Sequence, residues 1–289
     1  MELADYQSDD CRIVRNGGFE SFGSVFTHYP RQLVFALREQ DMAKIGMNPT
    51  ISCVITTDKL IPKAPAGPGI ATAEDPKARF YEIHASAARL NNGSFEQFEN
   101  DIHRSAAIHP SATIASRGVR IGKNVEIGKK VVIHERTVIE DGVVIRSGSI
   151  IGNTCTLKGK LDKVDIYSSG GVHIHRDVDI HANTIIDRSV FREYTEIGRQ
   201  TKVDNLVHIG PGARIGERCL VVACATIGDC VVIGNDSWIG PNSTLAEQIL
   251  IGNQVYITLG SHVSRDVGNN LLVKDNYAID RERFKKVIR

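Results

Sequence analysis

The 289-residue sequence predicts a mainly β fold, in which a parallel β-helix of hexapeptide repeats follows a small N-terminal α/β domain and precedes a short C-terminal helical tail. Two observations predict this organisation. An aliphatic residue recurs at every sixth position over long stretches, and residues 1–102 lack that period. A fixed short period is typical of repeat architectures whose units stack on one another. We therefore place the domain boundaries at 1–102, 103–268 and 269–289.

The six-residue period predicts one short strand and one turn per hexad. A helix would need a period near 3.6, and the repeats are rich in β-branched residues and glycine. Glycine often follows the aliphatic residue, which we interpret as tolerance of a tight turn. A small or β-branched residue often comes four positions after it. The predicted inward aliphatic residues are Ile121, Ile127, Ile133, Ile139, Ile145, Ile151, Leu157, Ile174, Ile180, Ile186, Ile197, Val203, Ile209, Ile215, Val221, Ile227, Ile233, Ile239, Leu245, Ile251, Ile257 and Val263.

The N-terminal region predicts alternating strands and helices. "PRQLVFALREQ" is typical of a helix, or of a short strand followed by a helix, and "TISCVIT" of a buried strand. "IPKAPAGPG" predicts a loop. "EDPKARFYEIHASAARL" opens with Asp-Pro and predicts a helix, with Phe80, Ile83, Ala87 and Leu90 at helical spacing. Within the repeats, "KGKLDKVDIYSSGG" and "DRSVFREYTE" break the period and predict loops or altered coils on a functional face.

Composition limits the class of partner. The formal net charge is +1, so the sequence predicts no nucleic-acid surface. The basic segment "RERFKKVIR" is a solvated helix end or a phosphate contact. The six cysteines form no CxxC pattern, which favours reduced thiols. We find no signal peptide and no apolar run of membrane-spanning length, and we therefore expect a cytoplasmic protein without stable membrane insertion.

Three segments carry a family resemblance: "IHPSA" at the entry to the repeats, "DVDIHANTIIDRS" and "TKVDNLVHIG". Together with the preceding α/β domain, they resemble the UDP-3-O-acylglucosamine N-acyltransferase (LpxD) family of lipid A synthesis and related nucleotide-amino-sugar N-acyltransferases. The resemblance implies a left-handed β-helix with three hexads per 18-residue coil. It also implies a homotrimer with sites between neighbouring subunits, and acyl transfer to an amino sugar.

Four departures separate this chain from the lipid A enzyme. Pro211 stands where the family motif I-A-H-N has its catalytic histidine, and Cys230 replaces a second histidine. The glycine- and phenylalanine-rich loop of the family has no counterpart in "LKGKLDKVDIYSSG". In "FALREQD", Phe35 matches the uracil-binding pattern, whereas Arg38 and Asp41 replace its asparagine and tyrosine. We retain Phe35 and Arg38 as substrate-binding candidates.

These departures favour a relative that moves an acetyl or other short acyl group from acyl-CoA, most simply acetyl-CoA, to a nucleotide-linked amino sugar for a surface glycan. A second hypothesis is the acyl-carrier-protein-dependent UDP-3-O-acylglucosamine N-acyltransferase of lipid A synthesis. A third is a non-catalytic, sugar-binding paralogue.

His208 is the candidate catalytic base. It precedes the inward Ile209, so it faces outward, and neutral histidine suits proton transfer near pH 7. A wall histidine at the trimer interface, or an amine that reacts without a protein base, are the alternatives. Asn205 matches a family asparagine near the reacting group and is a substrate-binding candidate; the alternative is a turn asparagine.

The 18-residue coil places further residues beside His208. Positions 18 apart stack, which predicts a polar strip of Thr226, Thr244 and His262 on the same wall as His208. On another wall it predicts an aromatic pair, Trp238 and Tyr256. The Gly228 N–H is a candidate oxyanion donor. An interface patch is the alternative role for the aromatic pair. We assign the acyl-donor groove to Gly228, Thr226, Thr244, His262, Trp238 and Tyr256.

The segment "HIHRDVDIH" raises the question of a metal. His175 and His181 occupy the same place in successive hexads, with His173 nearby. Successive hexads lie on different faces of a triangular coil, so His175 and His181 cannot share one ion within a chain. The sequence therefore predicts no metal site.

Overall fold

A computed structural model describes residues 1–27, 29–90, 98–154, 168–191, 193–274 and 277–280. The described residues divide into an N-terminal unit within residues 1–90 and a second unit within residues 98–280. Predictions for Cys155, Leu157, most of "KGKLDKVDIYSSGG" and the segment "RERFKKVIR" fall outside the described residues.

The N-terminal unit is a five-stranded sheet with two α-helices. Its strand order is β1-β5-β4-β3-β2, in which β1 runs antiparallel to β5 and the other neighbours are parallel. The predicted buried strand and the predicted long helix are confirmed, and "PRQLVFALREQ" forms a strand and the start of a helix. The elements are β1 (Cys11–Arg15), β2 (Ser21–Phe22), β3 (Gln32–Phe35), α1 (Glu39–Met47), β4 (Ile51–Thr56), β5 (Gly69–Ala73) and α2 (Pro76–Leu90), with 3₁₀ helices at Leu3–Tyr6 and Asp58–Lys63.

The described helices are few and short. The helix α1 has 9 residues and α2 has 15. The second 3₁₀ helix occupies the start of the predicted loop "IPKAPAGPG". No helix in the described part of the chain is both long and apolar enough to cross a membrane.

The second unit is a parallel β-helix with three walls. Wall 1 contains β7 (Ala107–Ile108), β10 (Glu126–Ile127), β13 (Val144–Ile145), β16 (Asp179–Ile180), β19 (Lys202–Val203), β22 (Leu220–Val221), β25 (Trp238–Ile239), β28 (Tyr256–Ile257), β30 (Leu271–Lys274) and β31 (Tyr277–Asp280). Wall 2 contains β8 (Thr113–Ile114), β11 (Val132–Ile133), β14 (Ile150–Asn153), β17 (Ile185–Asp187), β20 (His208–Ile209), β23 (Thr226–Ile227), β26 (Thr244–Leu245) and β29 (His262–Val263). Wall 3 contains β6 (Asp101–Ile102), β9 (Val119–Ile121), β12 (Thr137–Ile139), β15 (Gly171–Ile174), β18 (Tyr194–Ile197), β21 (Arg214–Ile215), β24 (Val232–Ile233) and β27 (Leu250–Ile251).

The β-helix core is the predicted column of aliphatic side chains. Every described member of the predicted inward series is buried, and these residues form one continuous hydrophobic cluster. The small residues four positions later also face inward: Thr201, Ala213, Ala225 and Ser243 are fully buried. Each hexad thus buries its apolar side chains against the neighbouring coils, which is how a repeat too short to fold alone becomes stable.

The repeat glycines have a different role from the predicted one. A Cβ atom on Gly228 would lie 2.7 Å from the carbonyl oxygen of Leu245 and from the amide nitrogen of Glu247, on the next coil. The left-handed turn conformation instead falls on non-glycine residues such as Leu206, with φ 59°, and Cys230, with φ 55°. At Gly228 glycine is therefore required by the close approach of stacked coils, whereas the repeat glycine Gly152, with φ 81°, also adopts the left-handed backbone conformation.

The helical tail predicted for residues 269–289 is wrong in its described part. The strand β30 continues wall 1 in parallel with β28, and β31 returns antiparallel to β30. Leu272 and Val273 are buried, at 2% exposure each. The tail pairs with the open end of the wall because an unpaired edge strand there would leave backbone groups without partners.

Candidate functional site

His208 lies on wall 2 next to an acidic residue of the preceding coil. Its Nε2 is 3.1 Å from Oδ2 of Asp187. The strands β17 and β20 pair in parallel, with Ile186 opposite Ile209, so Asp187 at the end of β17 comes within reach of the imidazole. The His208 side chain is 45% exposed, whereas that of Asp187 is 4% exposed. The pair thus combines an accessible imidazole with a buried carboxylate.

A third residue fixes the carboxylate. Oδ1 of Asp187 accepts a hydrogen bond of 2.9 Å from Nδ2 of Asn153, which ends β14 on the coil before. Three consecutive coils therefore supply Asn153, Asp187 and His208 in one chain of hydrogen bonds. An imidazole oriented by a buried carboxylate is the arrangement that general bases use to hold one ring nitrogen toward a substrate.

The electrostatics of the pair favour proton uptake. The hydrogen bond that His208 donates to Asp187 raises the pKa of His208, partial burial lowers it, and the charges of Asp187 and Asp229 raise it further. A carboxylate that stabilises the protonated imidazole helps a base that must accept a proton during the reaction. Because Asp187 contacts Nε2, Nδ1 is the nitrogen left for a substrate.

The predicted oxyanion donor is wrong. The amide of Gly228 donates a hydrogen bond of 3.0 Å to the carbonyl of Leu245 on the next coil. That amide belongs to the hydrogen-bond ladder of the β-helix, so donating to a substrate would cost a ladder bond.

The predicted strip beside His208 has the expected register. His208 pairs with Thr226, Thr226 with Thr244, and Thr244 with His262, all on wall 2. The rings of Trp238 and Tyr256 stack on wall 1, with centroids 5.6 Å apart and an interplanar angle of 12°. Since the strip and the aromatic pair lie on different walls, they can face one another only across two copies of the chain.

Asn205 is held in its turn. Its Oδ1 accepts a hydrogen bond of 3.1 Å from the amide of Ala182, and its Nδ2 donates to Oδ1 of Asp204 at 2.7 Å. Both polar ends of the amide are engaged by neighbouring backbone and side chain, which favours the turn interpretation over substrate contact.

The two N-terminal candidates have structural partners. Phe35 is 4% exposed, and the centroid of its ring lies 5.3 Å from that of Phe80 and 6.0 Å from that of Tyr81. Its ring is therefore not open for stacking on a nucleotide base. Arg38 caps the start of α1 and pairs with the buried Asp41 at 3.1 Å. The two residues that depart from the family pattern thus bind each other. These positions do not support substrate binding by Phe35, and they give Arg38 a helix-capping role.

Pro211, at the position of the family's catalytic histidine, is closed off from solvent. Pro211 is buried, and its carbonyl accepts the amide of Cys230 at 2.9 Å. A Cβ atom on the adjacent Gly212 would lie within 3.4 Å of Cys230 Sγ, Ser189 Oγ and Glu193 Oε1. Burial raises the pKa of Glu193 to about 7. This corner is a packed interior next to the His208 wall.

A second group of titratable side chains lies on wall 3. Glu140, His173 and His175 bring one carboxylate oxygen and two ring nitrogens within 4.8 Å of one another. His175 and His181 follow strands of different walls, so the argument against sharing an ion between those two residues holds. Sequence reasoning missed Glu140, because it lies 33 residues before His173 rather than one regular coil away.

Comparison with known proteins identifies the repeat. Residues 118–153 and 194–229 match the family described as bacterial transferase hexapeptide (six repeats). Both matched segments lie within the β-helix. The resemblance found in the sequence is confirmed by relatives named UDP-3-O-acylglucosamine N-acyltransferase. One from Campylobacter lari is 36% identical over 102 residues, which are 35% of this chain and 32% of that protein. One from Paracoccus denitrificans is 48% identical over 63 residues, which are 22% of this chain and 16% of that protein.

One solved structure shares the fold. A UDP-N-acetylglucosamine acyltransferase from Campylobacter jejuni is 20% identical, with a TM-score of 0.51, and the alignment covers 65% of this chain and 81% of that one. This likeness concerns the fold alone and confirms the predicted left-handed parallel β-helix. The curated relatives are matched over a third of their length or less, from 32% of the Campylobacter lari protein to 16% of the Paracoccus denitrificans protein.

Proposed function

We propose that this chain is an acyltransferase that moves an acyl group from a thioester to the amine of a nucleotide-linked amino sugar, with His208 as the base. The observation that carries this proposal is the chain of hydrogen bonds from Asn153 through Asp187 to His208. It supplies an exposed imidazole with a buried, oriented carboxylate behind it. The acyltransferase names of the hexapeptide-repeat relatives support the reaction class.

The reaction needs one proton acceptor. The sugar amine attacks the thioester carbonyl, and a tetrahedral intermediate forms with the proton still on nitrogen. Nδ1 of His208 takes that proton, and Asp187 stabilises the imidazolium. Collapse of the intermediate forms the amide and expels the thiolate, which takes the proton back from His208. The products are the N-acyl sugar and the free thiol.

Two acceptor and donor pairs remain as candidates. The name of the relatives, UDP-3-O-acylglucosamine N-acyltransferase, favours a 3-O-acylated UDP-glucosamine as acceptor, which is the second hypothesis from the sequence. The buried Pro211 and the core position of Phe35 favour a different nucleotide-linked amino sugar with a short acyl group from CoA. Both pairs use the same proton transfer at His208.

The acyl-donor groove is proposed to form between copies of the chain. The strip of His208, Thr226, Thr244 and His262 lies on wall 2, and the stacked Trp238 and Tyr256 lie on wall 1. A homotrimer would set wall 2 of one protomer against wall 1 of its neighbour. The acyl chain or the pantetheine arm of the donor would then run between them.

A thiol-release assay tests the proposal. Purified protein is mixed with acetyl-CoA, longer acyl-CoA or acyl-carrier-protein donors and a panel of nucleotide-linked amino sugars. Amine-dependent thiol release with CoA donors selects the short-acyl reaction, and strict dependence on acyl carrier protein selects the lipid A type. Binding of a nucleotide sugar without turnover for any donor would overturn the enzymatic proposal in favour of a sugar-binding paralogue.

A further inference from the structure

Wall 3 carries a second site that the proposed acyl transfer does not use. His173 lies in β15 and His175 directly follows it, and Glu140 follows β12, the strand that pairs with β15. The register places Val138 opposite His173, so the carboxylate two residues later reaches both imidazoles. The cluster is therefore fixed by the β-helix ladder of two consecutive coils.

The three donor atoms lie within 4.8 Å of one another. Oε1 of Glu140 lies 2.9 Å from Nε2 of His173 and 3.2 Å from Nδ1 of His175. In a tetrahedral zinc site with bonds of 2.0–2.1 Å, ligand atoms stand about 3.3 Å apart. The two distances to Oε1 match that value to within a few tenths of an ångström, and the third lies within 4.8 Å.

The surroundings hold the three side chains in place. Oε2 of Glu140 accepts the backbone amide of Arg176 at 3.0 Å, which leaves Oε1 directed at the histidines. The centroids of the two imidazole rings lie 4.0 Å apart, and the centroid of the Tyr194 ring lies 5.7 Å from that of His173.

A second carboxylate stands on the outer side. Oε2 of Glu196 lies 3.7 Å from Nε2 of His175, the ring nitrogen that does not face Glu140. Metal-bound histidines usually direct their second nitrogen toward a carboxylate, which fixes the tautomer. Glu140, His175 and Glu196 also line a cavity of ≈ 360 Å³, so a water molecule can approach the cluster from that side.

We propose that Glu140, His173 and His175 bind a divalent transition-metal ion of the zinc class, with Glu196 as the outer partner of His175 and a fourth position open to water. Two histidines and one carboxylate form a donor set that zinc uses with an open position. The ion would join the coils of β12 and β15 on wall 3. The proposal does not depend on the acyl transfer.

Metal binding by the full-length chain tests the proposal. The protein is stripped with a chelator, dialysed against Zn²⁺ or Co²⁺, and measured by elemental analysis and by thermal unfolding. We expect one ion per chain, visible absorption of four-coordinate Co²⁺, and an unfolding temperature higher by on the order of 5 °C at a hundredfold excess of Zn²⁺ over its Kd.

Variants separate this site from other histidines. His173→Ala and His175→Ala should each weaken Zn²⁺ binding by at least about a hundredfold, and Glu196→Gln by about tenfold. His181→Ala is the matched control, because His181 also lies between two carboxylates, Asp179 and Asp204. It should bind one ion as the wild type does.

Two results would overturn the proposal. One is a wild-type protein without a stoichiometric ion and without the Co²⁺ absorption. The other is wild-type affinity in the His173→Ala protein. If a ligand variant fails to fold, the Glu196→Gln protein and the wild-type Co²⁺ spectrum still decide the question.

Discussion

Asp187→Asn tests how the candidate base is oriented. The change keeps the size of the side chain and its ability to accept from Asn153, but it removes the negative charge 3.1 Å from Nε2 of His208. The asparagine amide would donate to Nε2, so that the neutral imidazole carries its proton on Nδ1. The nitrogen that faces the substrate would then be unable to accept a proton.

The structure sets the size of the effect. A hydrogen bond to a charged group contributes about 1.5–3 kcal/mol, and the exposure of His208 places this bond at the lower end, which corresponds to a loss of about 10–30-fold in kcat. The inverted tautomer of His208 adds to this loss of kcat, because Nδ1 can then no longer accept a proton. The same Asp-to-Asn change in Ser-His-Asp triads lowers kcat by roughly 10⁴-fold, which sets the upper limit.

The pH dependence of kcat/KM in the Asp187→Asn protein is a second test, because the direction of its shift is predicted separately from the loss of kcat. A base must be neutral to act, so kcat/KM rises with pH through its pKa. Asp187 raises the pKa of His208, and its removal should move the rising limb to lower pH while the plateau falls. Thiol-release rates from pH 5 to 9 measure both effects. A variant with wild-type plateau rates, or with a limb displaced to higher pH, would refute this role for Asp187.

Three further changes probe the core, a buried acid and the proposed groove. Ile227→Ala should destabilise the β-helix by about 2–5 kcal/mol, since Ile227 is fully buried, whereas Leu259→Ala, at a side chain 74% exposed, should change the unfolding free energy little. Burial raises the pKa of Glu193 from 4.5 to about 7. Between these two pH values the unfolded chain binds fewer protons than the folded chain, so the free energy of unfolding falls as pH rises. Glu193→Gln should therefore raise the unfolding temperature at pH 8 and leave it unchanged at pH 4. Trp238→Ala should raise KM for the acyl donor more than it lowers kcat, if the stacked rings line the groove.

Each of these predictions has a contrary outcome. Equal denaturation midpoints for Ile227→Ala and the wild type would contradict the stacked core. A lower unfolding temperature for Glu193→Gln at pH 8 would mean that the acid is stabilised in its charged form. Unchanged donor KM in Trp238→Ala would assign the aromatic pair to another surface.

The regular part of the fold was predictable because its cause is local and repeated. A period of six predicts which side chains face inward, and an 18-residue coil predicts the pairing of His208 with Thr226. The reason for the repeat glycines was not predictable, because it depends on how closely neighbouring coils approach at Gly228. The same contact uses the Gly228 amide that the sequence offered as an oxyanion donor.

The site was predictable only where the period is intact. Asp187 lies 21 residues before His208, and Asn153 lies 34 residues before Asp187, so simple 18-residue arithmetic does not bring them together. The segment after Asp187 lengthens the coil to which Asp187 belongs. Ser189 and Glu193 of this segment lie beside Gly212, and both Glu193 and the neighbouring Pro211 are buried. Irregular coils thus assemble the candidate site, and their contacts depend on three-dimensional packing.

The most direct measurement is the kcat of His208→Ala under saturating acyl donor and amino sugar. If His208 is the base, kcat falls by about a hundredfold or more while the unfolding temperature stays at the wild-type value. His109→Ala, which changes a histidine of the first coil, should keep wild-type kcat. A His208→Ala protein that folds normally and retains near-wild-type kcat would contradict the role of His208 and leave the sugar amine to react without a protein base.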